Sequence, residues 1–260
     1  MNRKLNITTD IKTKRNRGCQ SRFTTVCILA DKFGSRMKSY GPTPLLDVSG
    51  SLLIDCQIRS VMSVFKNCEI IICAGADALK LHGHIRSNHA NKNIRIVENQ
   101  IFKNSNSCES LRLCLNNTMN TNVFIVCGDV LFTPKDVTGI KHKGSFIVSQ
   151  SNLAGCNFEI GASFVNYNDV RNLQFGIENL TWSEIAYVSG EAEIYELKRF
   201  LSSIESKNKF VFEGINHLIK RGYKFKSFET KWSGMVKINN AKTLQKVQWQ
   251  HDSGDRRLFG

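Results

Sequence analysis

The stretch TTVCILADKFGSRMKSYGPTPLL, residues 24–46, joins a short apolar run to a loop rich in glycine, proline and basic residues. The apolar run over residues 24–30, followed by turn residues, predicts a buried strand. A strand that leads into a basic, glycine-containing loop can present backbone N–H groups and a guanidinium to a phosphate chain. Arg36 would be the bidentate phosphate contact, and Gly34 would let the backbone approach the ligand closely. The alternative is an ordinary surface loop with scattered basic residues.

Strand and helix patterns alternate outward from this stretch along the first half of the chain. The predicted strands are 69–74, 94–98 and 122–127, and the predicted helices are 51–66, 77–89 and one capped by Asn106 with Glu109 three residues on. Such alternation predicts an α/β fold of the Rossmann-like kind, in which helices flank a mostly parallel central sheet. Since these sheets bind ligands at the carboxyl ends of their strands, we expect the site at the loop after Ala30 and at the turn Gly128-Asp129.

The second half of the chain has weaker patterns. Predicted strands cover 144–149, 158–166 and 223–229, and predicted helices cover 191–206 and 210–221. Residues 1–22 carry seven lysines and arginines against the single acid Asp10, which is typical of a flexible basic arm. Residues 249–260 resemble a loose tail. We therefore expect one domain over residues 23–248.

Composition limits the classes of protein to which the chain can belong. At 260 residues, with 41% hydrophobic and 22% charged residues, it is an ordinary globular sequence. No apolar run approaches the roughly 20 residues that span a bilayer, and the N-terminus lacks the apolar core of a secretory signal. We therefore expect a cytoplasmic protein with no membrane span. The nine cysteines are scattered without a C-x-x-C pair, which favours reduced, buried thiols over zinc ligands or disulfides.

The formal net charge of +14 is not confined to the N-terminal arm. It either attracts phosphorylated ligands or nucleic acid, or it reflects a generally basic composition that keeps the protein soluble. From the arm we expect weak, salt-sensitive and sequence-independent binding to polyanions.

The loop after the first predicted strand contains an ordered motif. Its residues are Leu29, Ala30, Gly34, Ser35, Arg36 and Met37, followed by Pro42, Pro44 and Leu45. This pattern resembles the signature L-A-A-G-x-G-S-R-[ML], then P-K-P-L, of a nucleotidyltransferase family. That family includes the sugar-1-phosphate nucleotidyltransferases and the bacterial-type choline-phosphate cytidylyltransferases.

Three later segments extend the resemblance in the same order along the chain. They are the run from Asn99 to Leu111, the strand that ends in Cys127-Gly128-Asp129, and a closing segment that comprises Phe212 to Ile219, Trp232 and Val236 to Ala241. The first is similar to N-x-x-[YF]-x-x-[ST]-N-x-x-x-S-L of the choline-phosphate branch, the second to the family's Gly-Asp metal motif, and the third to its closing E-I-D-T-x-E-D-L segment. The resemblance covers about residues 23–248.

The resemblance implies a GT-A-type nucleotidyltransferase fold and a magnesium-dependent enzyme. Such an enzyme joins a nucleoside triphosphate to a small phosphorylated acceptor, a sugar 1-phosphate or phosphocholine, and releases pyrophosphate; this chemistry serves sugar-nucleotide or phosphocholine metabolism and polysaccharide biosynthesis. Asp129 and Asn239 are implied as ligands of Mg²⁺, and Arg36 as the contact to the triphosphate. The residues implied to seat or enclose the nucleotide are Leu29, Ala30, Gly34, Ser35, Ser105, Asn106 and Ser110.

Three positions depart from the family pattern. Asp31-Lys32 replaces Ala-Gly, Thr43 replaces the lysine between the prolines, and Asn239 replaces an aspartate. The chain therefore lacks one cation and one ligand charge where the resemblance places the phosphoryl chemistry. Removing one preorganised charge contact costs about 3–4 kcal/mol, or a hundred- to a thousandfold in rate. Lys32 is the candidate to supply the missing cation in catalysis; the alternative is that Lys32 is solvated and the site is impaired.

Three histidines form a weaker candidate site. His82, His84 and His89 suggest a metal cluster, but no carboxylate or thiol stands near them at ligand spacing. A solvated helix face is therefore favoured.

Trp182, Glu184 and Tyr187 suit an acceptor pocket for a cationic head group, or equally an aromatic core. Three functions remain open for the chain: an active nucleotidyltransferase, a homologue with a regulatory or scaffolding role that binds nucleotide without turnover, and a nucleic-acid-binding protein. A glycosyltransferase is disfavoured, because the sequence after Gly128 does not supply an Asp-x-Asp metal motif. The active transferase is the leading hypothesis.

Overall fold

The computed structural model describes residues 23–33, 37–137, 144–151, 158–177, 180–230 and 235–252. Within these ranges the side chains of Lys38 and of residues 249–252 are not described. The basic arm over residues 1–22 and three candidate site residues, Gly34, Ser35 and Arg36, lie outside the described residues.

Strands and helices alternate through the first half of the chain, as the sequence predicts. The strands are β1 (Thr24–Ala30), β2 (Cys68–Ala74), β3 (Ile94–Glu98), β4 (Asn122–Cys127), β5 (Val130–Leu131), β6 (Ser145–Ser151), β7 (Ile160–Phe164), β8 (Val170–Phe175), β9 (Leu180–Ser189), β10 (Phe225–Glu229) and β11 (Val236–Lys237). The helices are α1 (Leu53–Val64), α2 (Ala78–Asn88), α3 (Ser107–Asn116), α4 (Pro134–Val137), α5 (Glu191–Leu201), α6 (Val211–Lys220) and α7 (Ala241–Asp252).

The central sheet runs in the order β10-β6-β9-β4-β1-β2-β3. Its neighbours pair in parallel except at β9, which is antiparallel to both β4 and β6. Six of these seven strands therefore point the same way, and the prediction of a mostly parallel sheet flanked by helices is confirmed. The antiparallel strands β7 and β8 attach to the sheet through β9, and β5 pairs with β11 in a separate small sheet.

The carboxyl ends of β1, β2 and β4 meet at one edge of the sheet. The register aligns Ala30 with Ala74, and Leu29 with Cys127. Gly128 N donates a hydrogen bond to Leu29 O over 2.9 Å, and a Cβ atom on Gly128 would lie 2.7 Å from Ala30 Cα. Because only glycine tolerates this approach, the turn after β4 lies directly against the end of β1.

Helices cover both faces of the sheet because successive side chains of β1 point to opposite sides. Val26 and Ile28 pack with α1 and α2 on one face. Cys27 and Leu29 pack with α3, α5 and α6 on the other face. A smaller apolar cluster joins α1, α7 and the β5–β11 pair, and it fixes the closing segment of the chain near the carboxyl edge of the sheet.

The sequence patterns do not predict β8 or β9. β9 is buried along nearly its whole length although it contains Thr181, Ser183 and Glu184, so neither an alternating nor a continuous apolar pattern marks it. The predicted helix 191–206 ends at Leu201. The last helix, α7, extends to Asp252, which is inside the segment expected to be a tail.

The seven cysteines among the described residues form no disulfide with one another, and six of them are buried, as predicted. In the part of the chain that the structure describes, no helix is both long enough and apolar enough to cross a bilayer.

Candidate functional site

A cavity of about 350 Å³ lies at the carboxyl ends of β1 and β4. The run from Leu29 to Phe33 and the turn Gly128-Asp129 contribute to its lining, together with Thr43-Pro44. The start of α3, the start of α6, β9 and the end of β11 complete it. This is the position at which parallel α/β sheets bind their ligands.

Part of the set singled out from the sequence lines this cavity. The lining residues from that set are Leu29, Ala30, Lys32, Asn106, Asp129 and Asn239. Ser105 and Ser110 are buried and do not belong to the lining. Thr43, which replaces the family lysine, lies in the lining, so this position offers a hydroxyl where the family pattern has a cation. The structure brings the expected segments together, and the roles of their residues stay predictions.

Asp129 and Asn239 reach the same cavity because β5 pairs with β11. Ile238 N donates a hydrogen bond to Asp129 O over 2.8 Å, directly before Asn239 in the chain. The buried Gln57 of α1 donates from Nε2 to Val130 O over 2.8 Å. The turn that carries Asp129 is therefore held by two separate elements.

A lysine lies beside two carboxylates of the cavity. Lys237 Nζ donates a hydrogen bond to Glu184 Oε1 and lies 4.0 Å from Asp129 Oδ2. Burial lowers the pKa of Lys237, but the carboxylates of Asp129 and Glu184 outweigh burial and raise that pKa above the ordinary lysine value. Burial raises the pKa of Asp129, and the charge of Lys237 opposes this rise. Lys237 therefore carries an ammonium group at neutral pH.

The two oxygen donors implied by the resemblance are by themselves an incomplete ligand set for a divalent cation. The oxygen donors expected from the sequence are the Asp129 carboxylate and the Asn239 amide, and Asn239 Oδ1 already accepts a hydrogen bond from Asn240 Nδ2 at 2.8 Å. Magnesium requires a near-octahedral set of oxygen ligands at about 2.0–2.1 Å. An ion on Asp129 would also meet the like charge of Lys237, which is 4.0 Å from Asp129 Oδ2. Lys32 and Lys237 thus bring positive charge into the cavity on their side chains.

Glu184 is aimed into the cavity by an irregularity in β9. Ile147 of β6 pairs with Ala186, whereas Ser149 pairs with Trp182, so the register of the two strands shifts around Glu184. Glu184 has a φ of 57°, in the left-handed region that residues other than glycine rarely adopt. Bulges and unfavourable backbone conformations of this kind occur next to functional sites, where they redirect a side chain.

Lys32 is tied to the start of α3. Its Nζ atom donates hydrogen bonds to Ser105 O and, over 2.8 Å, to Asn106 Oδ1. Burial lowers the pKa of Lys32, and the charge of Asp31 opposes this shift. Lys32 is thus partly buried and hydrogen-bonded rather than solvated, and one of its three N–H donors remains for a ligand.

A buried polar network supports this region of the cavity. Asn99 Nδ2 donates to Asp31 Oδ2 over 2.8 Å and to Ser105 Oγ over 3.0 Å. Burial raises the pKa of Asp31, against the influence of the Ser110 and Asn99 side chains and of Lys32. Ser105 therefore belongs to the layer that supports the cavity wall.

Aromatic side chains contribute a large part of the cavity lining. Phe175, Phe210, Phe212 and Trp182 belong to it, together with the carboxylate residue Glu159. The ring centroids of Phe175 and Phe212 are 5.5 Å apart in an edge-to-face contact, and those of Phe210 and Phe212 are 6.1 Å apart and stacked. Apolar aromatic faces beside a carboxylate suit a cationic group.

Tyr187 does not belong to this aromatic wall. It is buried in the core, with its ring stacked 5.2 Å from that of Phe146. Of the three residues suggested for an acceptor pocket, Trp182 and Glu184 line the cavity, and the suggestion is wrong for Tyr187. The reason is that Tyr187 lies beyond the irregularity in β9 and packs with the helices of one sheet face.

The sequence analysis favoured a solvated helix face for the three histidines, and this prediction is wrong for His84 and His89. His84 Nε2 and His89 Nε2 lie 2.9 Å and 2.5 Å from Asp55 Oδ1, and both rings are largely buried. The carboxylate belongs to α1, so spacing along α2 gave no sign of it. Lys92 Nζ lies 2.7 Å from His89 Nδ1, on the side of the ring away from Asp55. His82 is half-exposed, with Nε2 3.1 Å from Glu98 Oε1.

The sequence analysis gave no site role to five residues of the lining, which are Lys237, Glu159, Phe175, Phe210 and Phe212. One signal for Lys237 was present, because it stands where the closing E-I-D-T pattern has glutamate. The others belong to segments of the second half, whose placement around the cavity depends on β9.

No known family model and no curated protein matches the sequence. Solved structures do match it. CTP:phosphocholine cytidylyltransferase from Streptococcus pneumoniae has 16% identity and a TM-score of 0.73, over 87% of this chain and 98% of that one. The inositol-1-phosphate CTP transferase from T. maritima has 16% identity and a TM-score of 0.68, over 88% and 98%. A nucleoside-diphosphate-sugar pyrophosphorylase from Vibrio cholerae has 14% identity and a TM-score of 0.71, over 87% and 100%.

The chain has the nucleotidyltransferase fold. This agrees with the resemblance of its loop and closing segment to that family, and at these identities the likeness defines the fold alone.

Proposed function

We propose that the chain binds a nucleoside triphosphate in the cavity at the end of β1 and transfers its nucleotidyl group to a small phosphorylated acceptor, with release of pyrophosphate. The observation that supports this proposal best is that the turn with Asp129 and the segment with Asn239 meet Leu29 and Ala30 in one cavity. These segments are far apart in the sequence, and each belongs to a different motif of the family resemblance.

The chemistry requires little covalent work from the protein. An oxygen of the acceptor phosphate attacks the α-phosphorus of the nucleotide, and the bond from that phosphorus to the β-phosphate bridging oxygen breaks as pyrophosphate leaves. Positioning and charge neutralisation supply most of the rate. In this proposal the backbone at Leu29 and Ala30 seats the nucleotide, Arg36 contacts the triphosphate, and Lys32 and Lys237 supply positive charge within the cavity.

The lining favours an acceptor of the phosphocholine type over a sugar 1-phosphate. A quaternary ammonium is recognised by aromatic faces and a carboxylate, and Phe175, Phe212 and Glu159 offer both. We therefore propose a cationic phosphorylated acceptor as the substrate class.

A second candidate function has specific support. Thr43 and Asn239 provide a hydroxyl and a neutral amide where the family pattern has a cation and an anion. Each lost charge contact reduces the rate far more than it weakens the fold. A regulatory or scaffolding homologue that binds nucleotide without turnover is the alternative that these positions favour.

The experiment that separates the two candidates measures product and binding together. The protein is incubated with ATP, CTP, GTP, UTP or dTTP, each with phosphocholine or with glucose 1-phosphate, and pyrophosphate is quantified. The transferase predicts pyrophosphate with at least one pair, and the loss of it in Asp129→Ala. Binding of a nucleotide by calorimetry without pyrophosphate from any pair would support the second candidate, and absence of both would refute the proposal.

Two features expected from the sequence lie outside this experiment. The cytoplasmic location and the polyanion binding by residues 1–22 stay predictions. Removing residues 1–22 should abolish most binding to polyanions and leave nucleotide binding intact.

A further inference from the structure

We propose that Lys237 is the built-in cation of the cavity, and that its ammonium group binds the phosphates of the nucleotide in place of a divalent metal ion. This inference rests on the proposed function, because it requires that the cavity takes a nucleotide. It differs from the expectation of the sequence, in which Asp129 and Asn239 hold Mg²⁺.

The position of Lys237 is fixed by the elements around it. Lys237 pairs with Val130 in the small antiparallel sheet, and its neighbours Val236 and Ile238 are buried in an apolar cluster. Since successive side chains of a strand point to opposite sides, Lys237 is directed away from that cluster and into the cavity lining. Glu184 then accepts a hydrogen bond from Nζ.

The ammonium group keeps donors for a ligand. A lysine ammonium has three N–H donors, and Glu184 accepts one of them. Asp129 Oδ2, at 4.0 Å, lies beyond hydrogen-bond distance. The remaining donors can bind phosphate oxygens, for which a compact, strongly charged ammonium is well suited. Glu184 holds the ammonium group of Lys237 in one position before the nucleotide binds, so the charge is preorganised.

The change in local charge matches this replacement. Relative to the closing pattern E-I-D-T, lysine in place of glutamate at position 237 adds two positive charges, and asparagine in place of aspartate at position 239 adds one. This gain exceeds the double charge of one magnesium ion. The closing segment thus supplies through its side chains at least the positive charge that a magnesium ion would bring. It also lacks the glutamate and the aspartate of the pattern, which would retain such an ion.

The test measures nucleotide binding with and without metal. Isothermal titration calorimetry of ATP, CTP, GTP, UTP and inorganic pyrophosphate is run in EDTA and again in MgCl₂. We expect at least one nucleotide to bind with dissociation constants that agree within about threefold in the two buffers, a difference well under one factor of ten. Lys237→Met should weaken that binding at least about tenfold, the scale of one charge-assisted contact, whereas Lys237→Arg should keep metal-free binding.

The matched control is Lys246→Met, the same change at an exposed lysine of α7, which should bind as the parent does. Circular dichroism of each variant verifies that it is folded. The double variant Lys237→Glu with Asn239→Asp should depend on a metal ion for nucleotide binding. We expect it to bind nucleotide only with Mg²⁺. We also expect electron paramagnetic resonance to detect Mn²⁺ bound to this variant and none bound to the parent.

The outcomes separate the two proposals. If the parent binds nucleotide only in MgCl₂, or if Lys237→Met binds in EDTA as well as the parent does, the cation assignment is wrong and the proposed function stands. If no nucleotide binds in either buffer, both are wrong.

Discussion

Lys32 Nζ donates a hydrogen bond to Asn106 Oδ1 over 2.8 Å, and this bond ties the loop after β1 to the residue that begins α3. Asn106 in turn donates from Nδ2 to Asn208 O over 2.7 Å. A residue implied to act in catalysis therefore also connects three segments of the cavity wall, and its two roles can be separated by experiment.

Lys32→Met should lower the free energy of unfolding by about 1 kcal/mol. Hydrogen bonds to a charged group contribute about 1.5–3 kcal/mol when buried, and Lys32 is only partly buried, so the expected loss lies below that range. The measurement is urea denaturation followed by circular dichroism. Lys66→Met, at an exposed lysine after α1, is the control. A Lys32→Met protein as stable as this control would mean that the tie contributes nothing to the fold.

Gly128→Ala should destabilise the protein by about 2 kcal/mol or more and abolish nucleotide binding. Its Cβ atom would meet Leu29 O and Ala30 Cα at 2.7 Å, both of which are backbone atoms that cannot rotate away. The turn with Asp129 would have to move from the end of β1. Denaturation and calorimetry on the same sample measure both effects.

The control for that substitution is Gly83→Ala in the exposed face of α2. A Cβ atom there has nothing within 4 Å. We expect Gly83→Ala to stabilise the protein by about 0.5–1 kcal/mol, because alanine favours helix over the unfolded chain. If Gly128→Ala were as stable as Gly83→Ala, the close approach of β4 and β1 would not be required.

Arg36→Ala should weaken nucleoside triphosphate binding at least about tenfold and leave the melting temperature unchanged. The residue lies outside the described residues, so the prediction depends on the sequence motif, in which a loop arginine makes bidentate contacts to phosphate. Calorimetry with the nucleotide that the parent binds best provides the measurement. Equal affinity in variant and parent would contradict the assignment.

Glu196 should stabilise the protein only above acidic pH. It accepts hydrogen bonds from Arg199 and from His217, each at 2.7 Å, and the bonds from Arg199 and His217 lower the pKa of Glu196 from the ordinary value of 4.5 to about 2. A group with a depressed folded-state pKa contributes stability that is fully present above its unfolded pKa and is lost as the pH falls through the folded value.

Glu196→Gln should therefore lower the melting temperature at pH 7, and the difference from the parent should shrink as the pH falls from about 4.5 towards 2. Differential scanning calorimetry at a series of pH values measures it. Glu205→Gln, at an exposed carboxylate of the segment after α5, should show little difference at any pH. A constant difference for Glu196→Gln across the series would show that packing, rather than charge, is lost.

The first half of the fold could be predicted from the sequence because its signals are local. β1, β3 and β4 begin and end where the predicted strands do. β1 and β4 are buried on both faces, so an apolar run between turn residues is enough to mark them. β9 could not be predicted in this way. Its direction is reversed, and the irregularity around Glu184 interrupts any regular pattern.

The candidate site could be predicted only in part, where its residues belong to local sequence motifs. Asp129 and Asn239 were expected at one place because both belong to ordered motifs. The contact of Lys237 with Glu184 joins residues 53 positions apart, and that of His89 with Asp55 joins residues 34 apart. Neither is visible from spacing along a single element. Side-chain contacts of this kind depend on the packing of whole elements, which residue patterns do not encode.

The reversed strand β9 has a consequence for how the chain is made. β4 and β6 leave the ribosome well before β9, yet neither pairs with the other, because β9 lies between them. Until residue 189 has been synthesised, the apolar β4 is an edge strand with unpaired N–H and C=O groups, which can pair with another chain. The nascent protein is therefore exposed to aggregation until its second half emerges, and a chain that stops short of Leu180 would keep that open edge permanently.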